Sequence, residues 1–485
     1  VKRNILSNGL YLLVVLSILL SALGAPAAAT KTLAGATNML YLPVMNQQVK
    51  NILGAEATPI NVNTGIVQLR QNGGNWTKSN DFMLWAAVES VQGTYDWAAA
   101  KSFEDALIMA NKLGLTMILT IKGTPAWAQK VAGHSCGPMT PATLPAFGNF
   151  VNAAVARYSR PPFNVHFWEL MNESDIDPID VQADSMFGCW GNMQDPDYGG
   201  GYFAEMLKAA YPRMKAADPS AVIMAGGLML DCGPLTPAGC PRLKFLDGIL
   251  KNGGGSNMDA LSFHVYEYYL NKPGQFYNQG WGSRWDKEGT SVGTKATYLR
   301  SVLSSYSFPN MPLFITEVAL LCNPNHYTPF DPNACLNDQF DDTKAVYMAR
   351  AAADALKSDI KALVWYKVRT AFDACSGASI STWCYTGLIK NDLSLRPGMR
   401  ALKVSADVFT RASLTTSGLY QANIYSYQFD RSDRTVIMMS NQLSTPQVIN
   451  LTTMPTSIYN MIGDSVQITT TLTITSTPLY IEWKH

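Results

Sequence analysis

Between about residues 50 and 410, short apolar runs alternate with amphipathic helical patterns, and this alternation leaves few folds open. Strand-like runs fall at 52–57, 75–78, 117–122, 165–171, 221–225, 260–266, 313–317 and 362–368. Most are continuous apolar stretches, as expected of strands buried on both faces of a parallel sheet. Helical patterns at 102–113, 144–158, 202–217, 297–305, 342–357 and 396–409 lie between or after them. Eight strands interleaved with helices over some 360 residues predict a closed (β/α)8 barrel with long loops.

Beyond residue 411 the pattern changes. Helical periodicity stops and Thr, Ser, Ile, Val and Tyr dominate. IYSYQF (424–429) and TVIMMS (435–440) flank DRSDR and predict a hairpin, which VQITTTLTI (466–474) and LYIEW (479–483) extend. The expectation is a barrel over 51–411 and a small C-terminal all-β sandwich over 412–485.

The N-terminus has the form of a targeting segment. Lys2 and Arg3 precede an apolar run at 10–20, and Ala27-Ala28-Ala29 offers a cleavage site. Residues 1–29 are therefore expected to be a signal peptide, with an uncleaved membrane anchor as the alternative. Residues 30–50 would be a linker or a strand joining the β-domain. A secreted chain favours disulfides among its eight cysteines. Six form the close pairs Cys232/Cys240, Cys322/Cys335 and Cys375/Cys384, leaving Cys136 and Cys189 for each other, although eight cysteines permit about 105 pairings. The 37 basic and 36 acidic residues nearly cancel, so nothing points to a nucleic-acid partner. Phosphate-loop, zinc-ligand and G-x-S-x-G patterns are missing, and neither cofactor nor metal is expected. Asp175, Asp177 and Asp180 form an oxygen-rich cluster of the kind that can bind calcium, but without the Gly and Glu of a known calcium loop.

Substrates of such barrels bind at the C-terminal ends of the strands, so polar groups there carry the functional reading. Strand four ends in Asn172-Glu173, and strand seven in Glu317. Strand six holds His264 and Tyr266, two apart and hence on one face; strand eight holds Trp365. An ionised carboxylate after an apolar run is costly unless it has partners or a task. Two carboxyls converging from different strands are the equipment for cleaving a glycosidic bond. Glu169, inside strand four, reads as a structural group paired within the barrel.

FWELMNESD (167–175), SFHVY (262–266), PLFITE (312–317) and VWYK (364–367) resemble the strand-four, strand-six, strand-seven and strand-eight motifs of clan A retaining glycoside hydrolases. Families 39 and 5 are the branches most resembled, over about residues 50–410. The resemblance implies a retaining hydrolase of β-linked oligo- or polysaccharides, which the expected signal peptide would make a secreted one, with Glu173 as general acid/base and Glu317 as nucleophile. Asn172 would bond the sugar 2-hydroxyl, Tyr266 would orient Glu317, His264 would line the same wall and Trp365 would stack beneath the ring. Lys78, in NWTK, stands where the clan commonly has Arg, and is expected to reach the substrate pocket. A transglycosylase using the same glutamates and a non-catalytic carbohydrate-binding barrel are the alternatives.

Overall fold

The computed structural model describes residues 51–79, 83–181, 185, 187–232, 240–278, 285, 290–322, 335, 338–370, 382–441 and 445–485. The proposed signal peptide, the segment 30–50 and Cys375 lie outside the described residues.

Eight parallel strands form the barrel: β1 (Leu53–Ala55), β2 (Trp76–Lys78), β3 (Thr116–Lys122), β4 (Phe167–Leu170), β5 (Val222–Leu228), β6 (Ala260–Tyr269), β7 (Leu313–Leu321) and β8 (Ile360–Trp365). Each is followed by a helix: α1 (Ile66–Gln71), α2 (Lys101–Lys112), α3 (Leu144–Tyr158), α4 (Gly200–Ala217), α5 (Lys244–Lys251), α6 (Val292–Ser305), α7 (Asp338–Lys357) and α8 (Pro397–Phe409). Pairing of β1 with both β2 and β8 closes the cylinder. Residues alternate between two environments along each strand. One set packs outward under the helices, as Leu53, Ala55, Leu363 and Trp365 do. The other fills the cylinder, where Trp76, Phe167, Phe314, Met224 and Val364 form a separate apolar cluster. Trp76 meets Phe167 edge-on at a centroid distance of 4.8 Å.

The strands differ from the sequence-based ranges at their C-terminal ends. β7 continues four residues past Glu317, paired with the long β6 as far as Tyr268 opposite Leu321. The apolar Val318–Leu321 stretch reads as the start of a loop in sequence, but β6 supplies its hydrogen bonds and the helices its burial. β8 ends at Trp365, earlier than expected.

The C-terminal segment forms β9 (Ser413–Gln421), β10 (Ile424–Asp430), β11 (Arg434–Asn441), β12 (Gln447–Asn450), β13 (Ser457–Asn460), β14 (Thr471–Ile474) and β15 (Leu479–Lys484). Antiparallel pairing gives a five-stranded sheet in the order β9-β10-β11-β15-β13 and a two-stranded sheet of β12 and β14. Of the stretch 466–474, only its last four residues are strand. β9, β12 and β13 escaped the sequence reading because β9 is polar and largely exposed and β12 and β13 are only four residues long, so alternation is weak. One face of the large sheet joins the barrel's outer core through Tyr427, Phe429, Met438 and Tyr480. The other face, with Ile424, Met439 and Ile481, packs on Ile449 and Leu472 of the small sheet.

Three predicted disulfides are formed: Cys136–Cys189, Cys232–Cys240 and Cys322–Cys335. Cys384 is also disulfide-bonded. Among the described residues no helix is long and apolar enough to cross a membrane.

Candidate active site

The inward side chains change character toward the C-terminal rim. Above the apolar plug lies a buried polar layer centred on Glu169 of β4. Thr120 of β3 donates to its Oε2 at 2.7 Å, while Ser262 of β6 and Thr316 of β7 donate to Oε1, each at 2.7 Å. The Lys78 ammonium lies 3.2 Å from Oε2. Burial alone would raise the Glu169 pKa, but the Lys78 and His264 charges and these donors hold it low. Gly226 makes room for this side chain, since a Cβ there would lie 2.6 Å from Glu169 Cγ. Glu169 is thus the structural centre of the barrel, as its position within the strand predicts.

Glu173 and Glu317 stand on the next level. Just beyond β4 stand two left-handed residues, Met171 (φ 67°) and Glu173 (φ 49°), conformations uncommon without glycine. They turn the chain so that Glu173, 2 % exposed, meets the barrel axis. Glu317 arrives by a β-bulge: Phe263 pairs with Ile315 but His264 pairs with Glu317, skipping Thr316. The bulge brings two consecutive residues inward, Thr316 to Glu169 and Glu317 to the rim. Re-aiming a side chain next to a site is a recurrent use of bulges.

His264 joins the two carboxyls. Its Nδ1 lies 2.8 Å from Glu173 Oε1 and 3.6 Å from Glu317 Oε2. An oxygen of each glutamate and this nitrogen all fall within 4.8 Å of one another. The Lys78 ammonium donates to Glu317 Oε1 at 2.8 Å and to Asn172 Oδ1 at 3.3 Å. The Tyr266 hydroxyl donates to Glu317 Oε2 at 2.5 Å.

These surroundings split the two carboxyls. Burial raises the Glu173 pKa above the ordinary carboxyl value and the negative Glu317 adds to it, against the opposing His264 contact. Burial acts on Glu317 in the same sense, but the His264 and Lys78 charges and the two hydrogen bonds outweigh it and bring the pKa to about 2. Burial lowers the His264 pKa, yet the carboxylates of Glu317 and Glu173 prevail and leave it raised. One carboxyl is therefore inclined to hold a proton and the other to be an anion, side by side. Lys122, at the end of β3, is brought down to about 8 by burial despite the nearby Glu173.

The structure thus brings Asn172, Glu173, His264, Tyr266, Glu317 and Lys78 together. Lys78 does not reach an open pocket: its side chain is fully buried and its ammonium is spent on Glu317, Glu169 and Asn172. It is a charge partner of Glu317. Trp365 is a correction. Alternation from the inward Val364 turns it outward, where it is 1 % exposed, packs 5.9 Å from Tyr347 of α7 and donates its indole N–H to Thr386 O at 2.8 Å. Tyr366 takes the inward place, half-buried, its ring 6.2 Å from Tyr266 and 5.6 Å from Trp383. Counting two residues on from Val364 would have found it. Among the loop aromatics, Trp383 meets Tyr266 edge-on at 4.9 Å, whereas Trp190 and Trp285 are buried against Phe203 and Tyr298.

The aspartates after Glu173 are occupied otherwise. Asp175 accepts the Met229 and Leu230 amides at 2.9 and 2.8 Å, Asp177 caps the turn at Ile179, and Asp180 pairs with Arg242 at 2.7 Å. They bind the β4 loop to its neighbour.

No protein-family model matches the sequence, and no curated protein matches it either. Solved structures do match. A family 39 glycoside hydrolase from the gut symbiont Bacteroides cellulosilyticus WH2 is similar with a TM-score of 0.66 at 17% identity, over 90% of this chain and 81% of that one. A glucosidase from Croceicoccus marinus (TM-score 0.56, 15% identity) and a family 30 endoxylanase from Clostridium papyrosolvens C71 (0.55, 13%) each match over 90% of this chain, and over 95% and 96% of their own. The barrel with its appended β-sheets is therefore the fold of these glycoside hydrolases, the one that the strand-four and strand-seven motifs resemble.

Proposed function

We propose that this chain is a secreted glycoside hydrolase that cleaves β-glycosidic bonds with retention of configuration. The observation that carries this reading is the pair Glu173 and Glu317, from β4 and β7, with oxygens within 4.8 Å. Retaining enzymes hold their carboxyls about 5–5.5 Å apart, whereas inversion needs about 6.5–9.5 Å to admit a water. The opposed environments of the pair support the same roles. Glu173 gives its proton to the leaving oxygen while the Glu317 carboxylate attacks the anomeric carbon, forming a glycosyl ester. Glu173, now an anion, takes a proton from water, which displaces Glu317 and restores both groups.

The remaining residues serve these two steps. Lys78 and Tyr266 hold Glu317 ionised and aimed. Asn172, fixed through its Oδ1, presents its amide to the sugar 2-hydroxyl. Tyr366 and Trp383 offer aromatic surface to the ring, the task that Trp365 is turned away from. The disulfides fit an oxidising compartment outside the cytoplasm.

A panel of 4-nitrophenyl β-glycosides, with glucosides and xylosides first, tests the activity. Incubation with a 2-fluoro glycoside of the sugar turned over, followed by peptide mass spectrometry, should place the adduct on Glu317. Glu317→Ala and Glu173→Ala should each lower turnover by at least about 10³-fold without loss of fold. Label on another residue, or near-full activity of Glu317→Ala, would refute the mechanism.

A further inference from the structure

A third carboxyl faces the same space and has no part in the two-step reaction. Glu56 follows β1, two residues after the inward Gly54, since Leu53 and Ala55 pack outward under the helices. Its backbone is tied on both sides, donating to Trp365 O at 2.8 Å and accepting from Val368 N at 2.7 Å, while Ala57 N bonds Lys78 O at 3.1 Å. The side chain is 0 % exposed. Among the described residues neither of its oxygens has a hydrogen-bond partner.

Counting donors shows what state it must be in. The charged groups facing it are Glu317 from β7, Lys78 from β2, Glu169 from β4 and Lys367 just beyond β8. An ammonium has three N–H groups, and those of Lys78 are taken up by Glu317, Glu169 and Asn172 at 2.8, 3.2 and 3.3 Å. The Lys367 ammonium lies over the Tyr366 ring, 4.7 Å from its centroid. Two carboxylates thus already share one buried ammonium. A third anion would have to draw Lys78 away from Glu317 or stand unpaired in a buried site, where charge is most costly.

We propose that Glu56 is a positioning residue that must remain a neutral acid for turnover, because its anion would compete with Glu317 for Lys78 and displace the nucleophile. This rests on the glycosidase reading given above and adds a third acid to it. The electrostatics agree in direction: burial, with the repulsion of Glu317, raises the Glu56 pKa to about 8 against the pull of Lys367 and Lys78. The proton would be lost to solvent at alkaline pH, and the damage would come through Lys78 rather than through contact with substrate.

Glu56→Gln fixes the neutral form at nearly the same volume, and the full chain can be read in two ways. The first is melting temperature from pH 5 to 9. The folded wild type keeps a proton that the unfolded chain releases above about pH 4.5, so its stability falls with rising pH until about pH 8. The variant lacks this loss, and its melting temperature should gain on the wild type over that window. The second is kcat/KM on the 4-nitrophenyl glycoside turned over fastest. The fall between pH 6 and pH 9 should be about tenfold smaller for the variant. A constant melting difference at all pH values would show that Glu56 is not a buried neutral acid and would overturn the proposal. A pH-dependent melting gain with superimposable pH–rate profiles would leave a structural acid only and would overturn the positioning role. Wild-type protein that turns over no glycoside would refute the glycosidase reading and the positioning role with it, while the melting series would still decide the state of Glu56.

Discussion

Lys78 shows what one residue contributes to the site. It is a fully buried cation that Glu317 and Glu169 share as their ion-pair partner. Breaking a buried pair from one side costs about 3–5 kcal/mol because the remaining charge has no partner. Lys78→Met should therefore lower unfolding free energy in urea by an amount of that order. It should also move the acidic limb of kcat/KM upward. Glu317 must be ionised to act, and without the Lys78 charge its pKa rises from about 2, so activity is lost at a higher pH as the medium is acidified. A shift of at least about one pH unit is the expected size. An unchanged acidic limb would mean that His264 and Tyr266 suffice to hold the anion. Lys78→Arg should not restore the wild type, since a guanidinium fork does not fit a site shaped around a single point donor.

At the level of elements, the site depends on how loops are fastened behind two strand ends. The chain after Glu173 passes under the segment 189–191, with Trp190 N bonded to Ser174 O at 3.1 Å and Gly191 N to Ile176 O at 2.9 Å. That segment is anchored to the β3 loop by Cys136–Cys189, which spans 53 residues. Replacing both cysteines by serine should cost about 2–4 kcal/mol, mainly by freeing the unfolded chain. Because the clamp lies directly over the left-handed turn at Glu173, kcat should fall as well, which activity measured well below the melting temperature would reveal. Equal activity with lowered stability would confine the bridge to a stabilising role. The bulge in β7 is the second device at this level: without it, Thr316 and Glu317 would point to opposite faces, and the anion would leave the barrel.

Across the whole molecule, the five-stranded C-terminal sheet shares a core with the barrel. Phe429 packs on Phe409 of α8 with centroids 5.0 Å apart, and the Tyr427 hydroxyl donates to the half-buried Asp354 of α7 at 2.5 Å. Phe429→Ala should destabilise by about 3–5 kcal/mol, the range for deleting a buried aromatic. It should do so through one transition monitored both by tryptophan fluorescence and by circular dichroism. Two separated transitions in the wild type would show that the sheets fold independently of the barrel despite this continuous core.

Much of this was open to reading along the chain. Short doubly buried runs separated by helical periods allow little besides a closed parallel barrel, and carboxyls after apolar strands are too costly to be incidental. Glu173, Glu317, His264 and Tyr266 were legible for that reason. Which inward neighbour a side chain meets is a different matter, because alternation has a period of two and a single bulge or an early strand end reverses it. That is why Trp365 turned outward and Tyr366 inward, and why Glu317 proved to lie within its strand. Glu56 falls within the sequence-based run 52–57, but no local pattern marks it as a buried acid, because β1 itself contributes only three strand residues and ends just before it. Its burial, like that of Lys78, arises from closure of β1 against β2 and β8, residues far away in the chain. Local pattern determined the architecture and the kinds of groups at its rim; only the closed cylinder decided which charges share a partner, since that depends on distances between strands that sequence separation does not encode.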